Sequence, residues 1–197
     1  MTAAVRWIGV GGVLVVLGTA TVGVAGELIA SVPDGAGSYG NSPVIEIWKS
    51  ERKLTLREGD ALIGEFRVAL GAQPHYGKEL QGDGRTPVGR YYVSDKKADS
   101  RFHRFLGISY PNVDDAERGY RRGLIDAGEW ADIFFANLRG DAPPWRTVLG
   151  GRVGIHGYGG RPYLPIDWTE GCIAVSDADI EIIYDRTPVG TPVLINE

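Results

Sequence analysis

The sequence contains very little cysteine and histidine. Its 197 residues include one cysteine, Cys172, and three histidines. A single cysteine cannot form an internal disulfide, and the sequence has no His-x-His, His-Glu-x-x-His or Cys-x-x-Cys pair of the kind that binds zinc. A zinc site built from His156, Cys172 and Asp167 would lack a clear ligand set. We therefore predict no metal site and no cofactor.

Positive charge is also limited and is not concentrated in one place. The chain carries 21 basic and 25 acidic side chains, a net charge of −4, and the basic residues are scattered rather than arranged in a stripe. The glycine-rich stretch GGRVGIHGYGG lacks the Gly-Lys-Ser/Thr ending of a phosphate-binding loop. These features predict neither a nucleic-acid partner nor a phosphate-binding loop.

The first segment differs in composition from the rest of the chain. One charge, Arg6, precedes an uncharged run of 20 residues from Trp7 to Gly26. Such a run can span the roughly 30 Å of a bilayer's hydrocarbon as a helix, and it is also typical of a secretory signal. We expect a signal peptide or signal anchor at residues 1–30, a flexible linker at 31–43 that is rich in glycine, serine and proline, and one domain at 44–197.

The expected export affects how the single cysteine is interpreted. We expect the protein in the periplasm or cell envelope, either released or held at the inner membrane by residues 7–26, its only expected membrane contact. Exported proteins normally carry paired cysteines or none, because a lone thiol invites oxidation. Cys172 is therefore either a reactive thiol or a small buried hydrophobic residue.

The residues after the linker have the pattern of a mainly β domain. Apolar residues alternate in VIEIWKS, RKLTLRE and ALIGEFRVAL, which predicts a β-meander with Leu54, Leu56, Leu62 and Phe66 on alternate positions. TPVGRYYVSD, RFLGISYP, GRVGIHG, GCIAV and TPVLIN continue the strand pattern. We expect a β-sandwich or barrel-like domain.

Two or three helices are predicted to be inserted among these strands. NVDDAERGYRRGL is polar and compatible with a short helix. DAGEWADIFFANLRG has Asp126 as an N-cap and Gly140 as a stop, and SDADIEIIYDR has Ser176 and Asp179 at capping-box spacing.

A nucleophile and a base are available at the ends of two apolar runs. His156 ends one run and Cys172 lies in the other, with 15 residues between them. Two strands joined by a loop can place such ends side by side as a Cys–His pair. Gly171 lets the backbone approach closely, so its N–H and that of Cys172 can face a developing oxyanion. Either the carbonyl of Gly157 or the carboxylate of Asp167 can orient the imidazole.

Three motifs in this order resemble a known family. IHGYGG followed by TEGCIAV resembles the active-site signature of the L,D-transpeptidase catalytic domains of bacterial cell-wall enzymes, also called YkuD-type domains. DGRTPVGRYYV resembles the upstream Thr-Pro-x-Gly segment of these domains. FLGISYPNVDDAERG and DWTEGCIAVSD resemble the branch of murein L,D-endopeptidases and transpeptidases. The resemblance covers roughly residues 43–197.

The resemblance implies a role for each residue that matches the signature. Cys172 would be the nucleophile, His156 the base, and Gly157 the residue that orients the imidazole through its carbonyl. Gly171 and Cys172 would supply the oxyanion N–H groups, and Thr169 matches the Ser/Thr of the signature. The implied fold is β-rich and sandwich-like, in agreement with the alternation.

Two departures from the family pattern concern substrate binding. Many members have His where this chain has Glu170, and many have Arg or Asn where it has Ala174. The usual contacts to a substrate carboxylate are therefore in doubt, and Arg161 or Arg152 could replace them unless both are simply surface arginines.

Other residues near the two motifs could also contact substrate. Glu170 could meet a substrate amine or be an exposed loop acid. Tyr158 and Trp168 could line a substrate groove or could only contribute to packing.

Together these features predict a cysteine enzyme that acts on peptidoglycan stem peptides. It would form a thioester at Cys172 and pass the acyl group to an amine, with an envelope lipoprotein as a conceivable acceptor or leaving group. Hydrolysis by the same groups, as in an L,D-endopeptidase or carboxypeptidase, is the first alternative. A wall-binding module whose Cys–His pair is unused is the second.

Overall fold

The computed structural model describes residues 40–162, 164 and 166–197. The predicted signal or anchor segment, residues 1–30, lies outside the described residues, as does most of the predicted linker. Within the described part of the chain, no helix has the length and apolar character needed to cross a membrane.

The described chain contains eight strands and three helices. The strands are β1 (Pro43–Trp48), β2 (Lys53–Glu58), β3 (Ala61–Arg67), β4 (Gly89–Ser100), β5 (His103–Ile108), β6 (Gly154–His156), β7 (Ile173–Ala174) and β8 (Pro192–Asn196). The helices are α1 (Val113–Arg121), α2 (Ala127–Arg139) and α3 (Asp177–Arg186). The mainly β prediction with inserted helices is confirmed.

The strands form one curled sheet in the order β3-β2-β1-β8-β4-β5-β6-β7. The predicted meander is β1 to β3, paired antiparallel. Two isolated bridges, Ala69 to Ala174 and Gly71 to Thr169, link the chain after β3 to β7 and the turn before it. The two ends of the sheet therefore meet, which makes the domain barrel-like.

The core follows from the alternation in the meander. Ile45 pairs with Leu56, Ile47 pairs with Leu54, and all four side chains are fully buried. Leu62 was predicted to share this pattern, but half of it is exposed. The register between β2 and β3 shifts after Leu56, and a bulge of this kind moves the following side chains to the opposite face.

The three helices begin where the sequence predicts. Asp126 caps α2 in a capping box, and Gly140 ends the helix in the left-handed conformation at φ 74°. The Ser176 hydroxyl accepts from the backbone N–H of Asp179 at the start of α3. The positions of the caps were thus predictable from local sequence alone.

Candidate active site

Strands β6 and β7 bring His156 and Cys172 to the same region of the sheet. They pair in parallel, with Ile155 opposite Ile173 and His156 opposite Ala174. Cys172 directly precedes β7, so the pairing of the two strands places it on the segment next to the one that carries His156. The two strands expected from the apolar runs are therefore neighbours in the sheet.

The imidazole of His156 is held in one orientation by its neighbours. Its Nδ1 lies 2.7 Å from the carbonyl oxygen of Gly157. A carbonyl oxygen only accepts hydrogen bonds, so Nδ1 carries the hydrogen and Nε2 keeps its lone pair for a proton. The ring stacks on Phe102 at a centroid distance of 4.4 Å and meets the edge of Trp168 at 6.0 Å.

Burial also determines the charge state of the imidazole. His156 is only 2% exposed. Desolvation lowers its pKa below the ordinary value, although the hydrogen bond to Gly157 opposes this effect. The ring is therefore neutral at neutral pH and suited to accept a proton.

The Cys172 thiol is half-buried, and its Sγ lies 3.8 Å from the carbonyl oxygen of Arg152. Burial raises its pKa above the usual range, while the backbone N–H of Gly154 and the charge of Lys78 act in the opposite direction. The Cys172 thiol and the His156 imidazole are therefore both neutral at neutral pH. A thiolate at Cys172 would therefore need a base that takes the thiol proton.

Thr169 shapes the turn that carries the thiol. Its hydroxyl donates to the carbonyl oxygen of Cys172 at 2.7 Å and accepts from the N–H of Gly171 at 3.1 Å. Gly171 has φ +130°, and a β-carbon there would lie 2.5 Å from the carbonyl oxygen of Arg85. Only glycine fits this position.

This turn changes one prediction about the oxyanion site. We expected the N–H groups of both Gly171 and Cys172 to face a developing negative oxygen. The N–H of Gly171 is instead engaged by the Thr169 hydroxyl. The N–H of Cys172 is the donor that remains a candidate for that role.

Comparison with known proteins assigns the family. The sequence model of the L,D-transpeptidase catalytic domain family, YkuD, matches residues 42–195. The chain belongs to the L,D-transpeptidase family. The putative L,D-transpeptidase YafK of Escherichia coli K12 is 35% identical over 86 residues, which cover 40% of this chain and 35% of YafK.

Two solved structures share the fold. The helical cell shape determining protein Pgp2 from Campylobacter jejuni has a TM-score of 0.56 at 19% identity over 79% of this chain and 48% of its own. Bdellovibrio bacteriovorus Bd1075 has a TM-score of 0.50 at 20% identity, with the same two coverages. The chain spans about half of each of these proteins and about a third of YafK.

Asp167 does not orient the imidazole of this L,D-transpeptidase domain. Its carboxylate forms a salt bridge with Arg52 at 2.7 Å and accepts from the backbone N–H of Leu70 at 2.9 Å. Of the two acceptors considered for His156, the Gly157 carbonyl is the one in place. Asp167 instead ties the segment before Cys172 to the β1–β2 turn and to the chain after β3.

Tyr158 lies behind the site and does not line a groove. It is 3% exposed, its hydroxyl donates to the carbonyl oxygen of Leu164, and its ring packs against Trp168 at 5.6 Å. Burial between these neighbours makes Tyr158 a support for Trp168, which itself contacts the imidazole.

The three charged residues predicted near the site lie around its rim. Arg161 is exposed, with its guanidinium 5.9 Å from the centres of both the Phe102 and Trp168 rings. Arg152 lies 3.8 Å from the centre of the Trp145 ring. Glu170 is exposed, and its negative charge adds to the rise in the pKa of Cys172 after the larger effect of burial.

Asp177 was not identified from the sequence, yet it holds the loop that follows His156. Its carboxylate accepts from the backbone N–H groups of Tyr158 at 2.6 Å, Gly159 at 2.9 Å and Gly160 at 2.7 Å. Partial burial acts to raise the pKa of Asp177, but these three bonds outweigh it and lower the pKa. In the sequence, an acid after Ser176 indicates only a favourable first turn of a helix.

Gly157 fits closely between this carboxylate and the β4–β5 turn. A β-carbon at Gly157 would lie 2.4 Å from Oδ1 of Asp177 and 2.9 Å from the carbonyl oxygen of Phe102. The carbonyl that orients His156 is therefore positioned by close contacts on both sides.

Proposed function

We propose that the protein is an exported L,D-transpeptidase that acts on peptidoglycan stem peptides. Membership of the family supports a peptidoglycan substrate. The observation that carries the proposal is a neutral imidazole on β6, oriented by Gly157, next to strand β7, which begins directly after the half-buried Cys172.

In the first half-reaction, Nε2 of His156 takes the proton of the Cys172 thiol. The sulfur attacks the carbonyl carbon of a diaminopimelate L-centre, and the N–H of Cys172 donates to the developing oxyanion. The C–N bond then breaks, and His156 returns the proton to the leaving amine. A thioester remains on Cys172.

In the second half-reaction, an acceptor amine attacks the thioester and loses its proton to His156. The C–S bond breaks, the new amide forms, and the thiolate is reprotonated. Water in place of the amine gives hydrolysis by the same steps. The outcome depends on how well the bound acyl group is shielded from water and how well an amine is held.

The proposed location rests on the sequence of residues 1–30. Export would bring the domain to the peptidoglycan, and retention of residues 7–26 would hold it at the inner membrane. The acceptor amine would come from a second stem peptide or from an envelope lipoprotein.

Mass spectrometry with defined muropeptides tests the proposal. We would incubate the protein with disaccharide tetrapeptides, beside Cys172→Ala, His156→Gln and the control His75→Gln. His75 is exposed and lies far from His156 and Cys172 in sequence, so its substitution controls for loss of a histidine. We expect an adduct on Cys172 that is absent in Cys172→Ala, slowed in His156→Gln and unchanged in His75→Gln.

The products then separate the candidate functions. A cross-linked dimer after the adduct supports transpeptidation, and shortened stems alone establish a hydrolase. Binding of muropeptides without adduct or turnover would refute catalysis and leave a wall-binding module.

A further inference from the structure

A groove lies close to the turn that carries Cys172. It has a volume of about 560 Å³ and is lined by Tyr76, Gly77, Lys78, Glu79, Arg85, Val88, Arg118 and Glu197. Two of these residues contact the catalytic turn. A β-carbon at Gly171 would lie 2.5 Å from the carbonyl oxygen of Arg85 and 3.8 Å from Cδ of Lys78. These contacts place one wall of the groove against the turn that carries Cys172, within reach of a peptide held there.

Most of the charges in the groove already have close partners. Lys78 is buried, and its Nζ bonds to the Asp83 carboxylate at 2.8 Å and to the Leu80 carbonyl oxygen at 2.9 Å. Arg118 bonds to Asp115 at 2.5 Å. The carboxylate of Glu197 bonds to Lys49 at 3.0 Å. These pairs stabilise the walls of the groove and leave little net charge.

Arg85 is the cation in the groove that is held most loosely. Its nearest acid is Glu79 at 3.8 Å, and Glu79 makes a shorter bond, 3.0 Å, to Arg122. The Arg85 side chain is 31% exposed. Its guanidinium lies 5.4 Å from the centre of the exposed Tyr76 ring, which restricts its orientation. A guanidinium has five donors, so Arg85 can bind another carboxylate.

The other candidate cations lie elsewhere. Arg161 is over Phe102 and Trp168, on the imidazole side of the site. Arg152 is over Trp145. Ala174, the residue two places after the nucleophile, is fully buried and supplies no charge. Neither Arg161 nor Arg152 lines the groove that contains Arg85.

We propose that Arg85 binds a free carboxylate of the peptide whose carbonyl is held at Cys172. This inference rests on the proposed function, because it takes the stem peptide as substrate. The carboxylate belongs to the diaminopimelate side chain, to the D-glutamate residue or to the C-terminal residue of the stem. Arg85 is then the residue that selects acidic over amidated stems.

A binding experiment tests this without requiring turnover. In the Cys172→Ala background, we would measure the Kd of a synthetic stem tetrapeptide and of three analogues, each amidated at one free carboxylate. Arg85→Gln should weaken binding of the acid form by about 10- to 100-fold, the range expected for a charge-assisted hydrogen bond. With Arg85 present, one of the three amidated analogues should bind more weakly than the acid form by the same factor. Arg85→Gln should not weaken the binding of that analogue further, which identifies the carboxylate that Arg85 contacts.

Three further variants serve as controls. Arg139→Gln removes an exposed arginine outside the groove and should leave the Kd unchanged. Arg161→Gln tests the rival cation. Arg85→Lys keeps the charge and should give an intermediate Kd, and it also serves as the test if Arg85→Gln does not fold.

The results separate this inference from the proposed function. Equal Kd values for Arg85→Gln and Arg139→Gln, equal binding of all amides, or a loss confined to Arg161→Gln would overturn the role of Arg85. Turnover by the Cys172 protein that is insensitive to Arg85→Gln keeps the function and rejects the inference. Arg85-dependent binding without turnover keeps the inference and rejects the function. Absence of binding to the parent protein rejects the inference.

Discussion

Asp177 provides the sharpest test of how the site is held together. Its carboxylate is the acceptor for three consecutive backbone N–H groups in the loop after His156. Asp177→Ala removes all three acceptors. Asp177→Asn keeps an oxygen at Oδ1, which bonds to Tyr158 and Gly159, but places an amide against the N–H of Gly160.

The expected loss of stability follows from these bonds. A hydrogen bond to a charged acceptor contributes about 1.5–3 kcal/mol where water is excluded. Tyr158 is buried, whereas Gly159 and Gly160 are exposed, so water replaces much of the interaction at the two glycines. We expect Asp177→Ala to lower the free energy of unfolding by about 3 kcal/mol and Asp177→Asn to lower it by about 1 kcal/mol.

The lowered pKa of Asp177 adds a pH signature. A carboxyl whose pKa is lower in the folded state stabilises the fold fully above its unfolded value, ordinarily 3.8, and loses this contribution as pH falls through the folded value. The difference between wild type and Asp177→Ala should therefore be full at pH 7 and should shrink in strong acid.

Urea unfolding at several pH values and hydrogen exchange of the Tyr158–Gly160 amides would measure the effect. Asp179→Ala is the matched control, because Asp179 lies in the same first turn of α3 but accepts none of these three N–H groups. Equal stabilities of Asp177→Ala and Asp179→Ala at pH 7, or a difference that does not change with pH, would refute the role given to Asp177. If the loop positions His156, turnover of Asp177→Ala should also fall at temperatures where the domain remains folded.

Four further predictions concern the turn that carries Cys172 and the Cys–His pair. Gly171→Ala should destabilise the domain by about 1–3 kcal/mol, because a β-carbon would contact the Arg85 carbonyl. Gly190→Ala, also at positive φ but with open space around it, should cost less in the same thermal unfolding assay. Thr169→Val should lower stability by about 1–3 kcal/mol, because the carbonyl oxygen of Cys172 and the N–H of Gly171 lose their partner. Thr55→Val should be nearly neutral, because the buried hydroxyl of Thr55 has no partner among the described residues, and an equal loss at both positions would contradict this assignment. The acid limb of kcat/KM should reflect protonation of His156 at a pKa below the ordinary 6.5, so the rate falls only when pH drops through this lowered value. Alkylation of Cys172 by iodoacetamide should increase with pH up to values above 9.0 in the absence of substrate, and rapid alkylation at pH 7 would instead indicate a preformed thiolate.

Much of the fold was predictable because its signals are local. The alternation of Leu54 and Leu56 predicted a half-buried strand, and Asp126, Gly140 and Ser176 predicted helix ends, since caps depend on a few neighbouring residues. Leu62 was placed wrongly because a one-residue bulge reverses the alternation and leaves no clear mark in the sequence.

The partners of the site residues were less predictable. The choice between Gly157 and Asp167 as the partner of His156 depends on Arg52, which is more than a hundred residues from Asp167 in sequence. The role of Asp177 was equally hard to predict from the sequence. Asp177 lies at the start of α3, and only the folded chain brings its carboxylate to the loop after His156.

The sequence by itself determined the order of strands and helices, the family, and the two residues able to act as nucleophile and base. These follow from periodicity, capping residues and short motifs. Only the tertiary structure decided that Thr169 occupies the N–H of Gly171, that Asp177 holds the loop after His156, and that Arg85 packs against the turn that carries Cys172. Each depends on contacts between distant segments, which exist only once the sheet has curled and brought its two ends together.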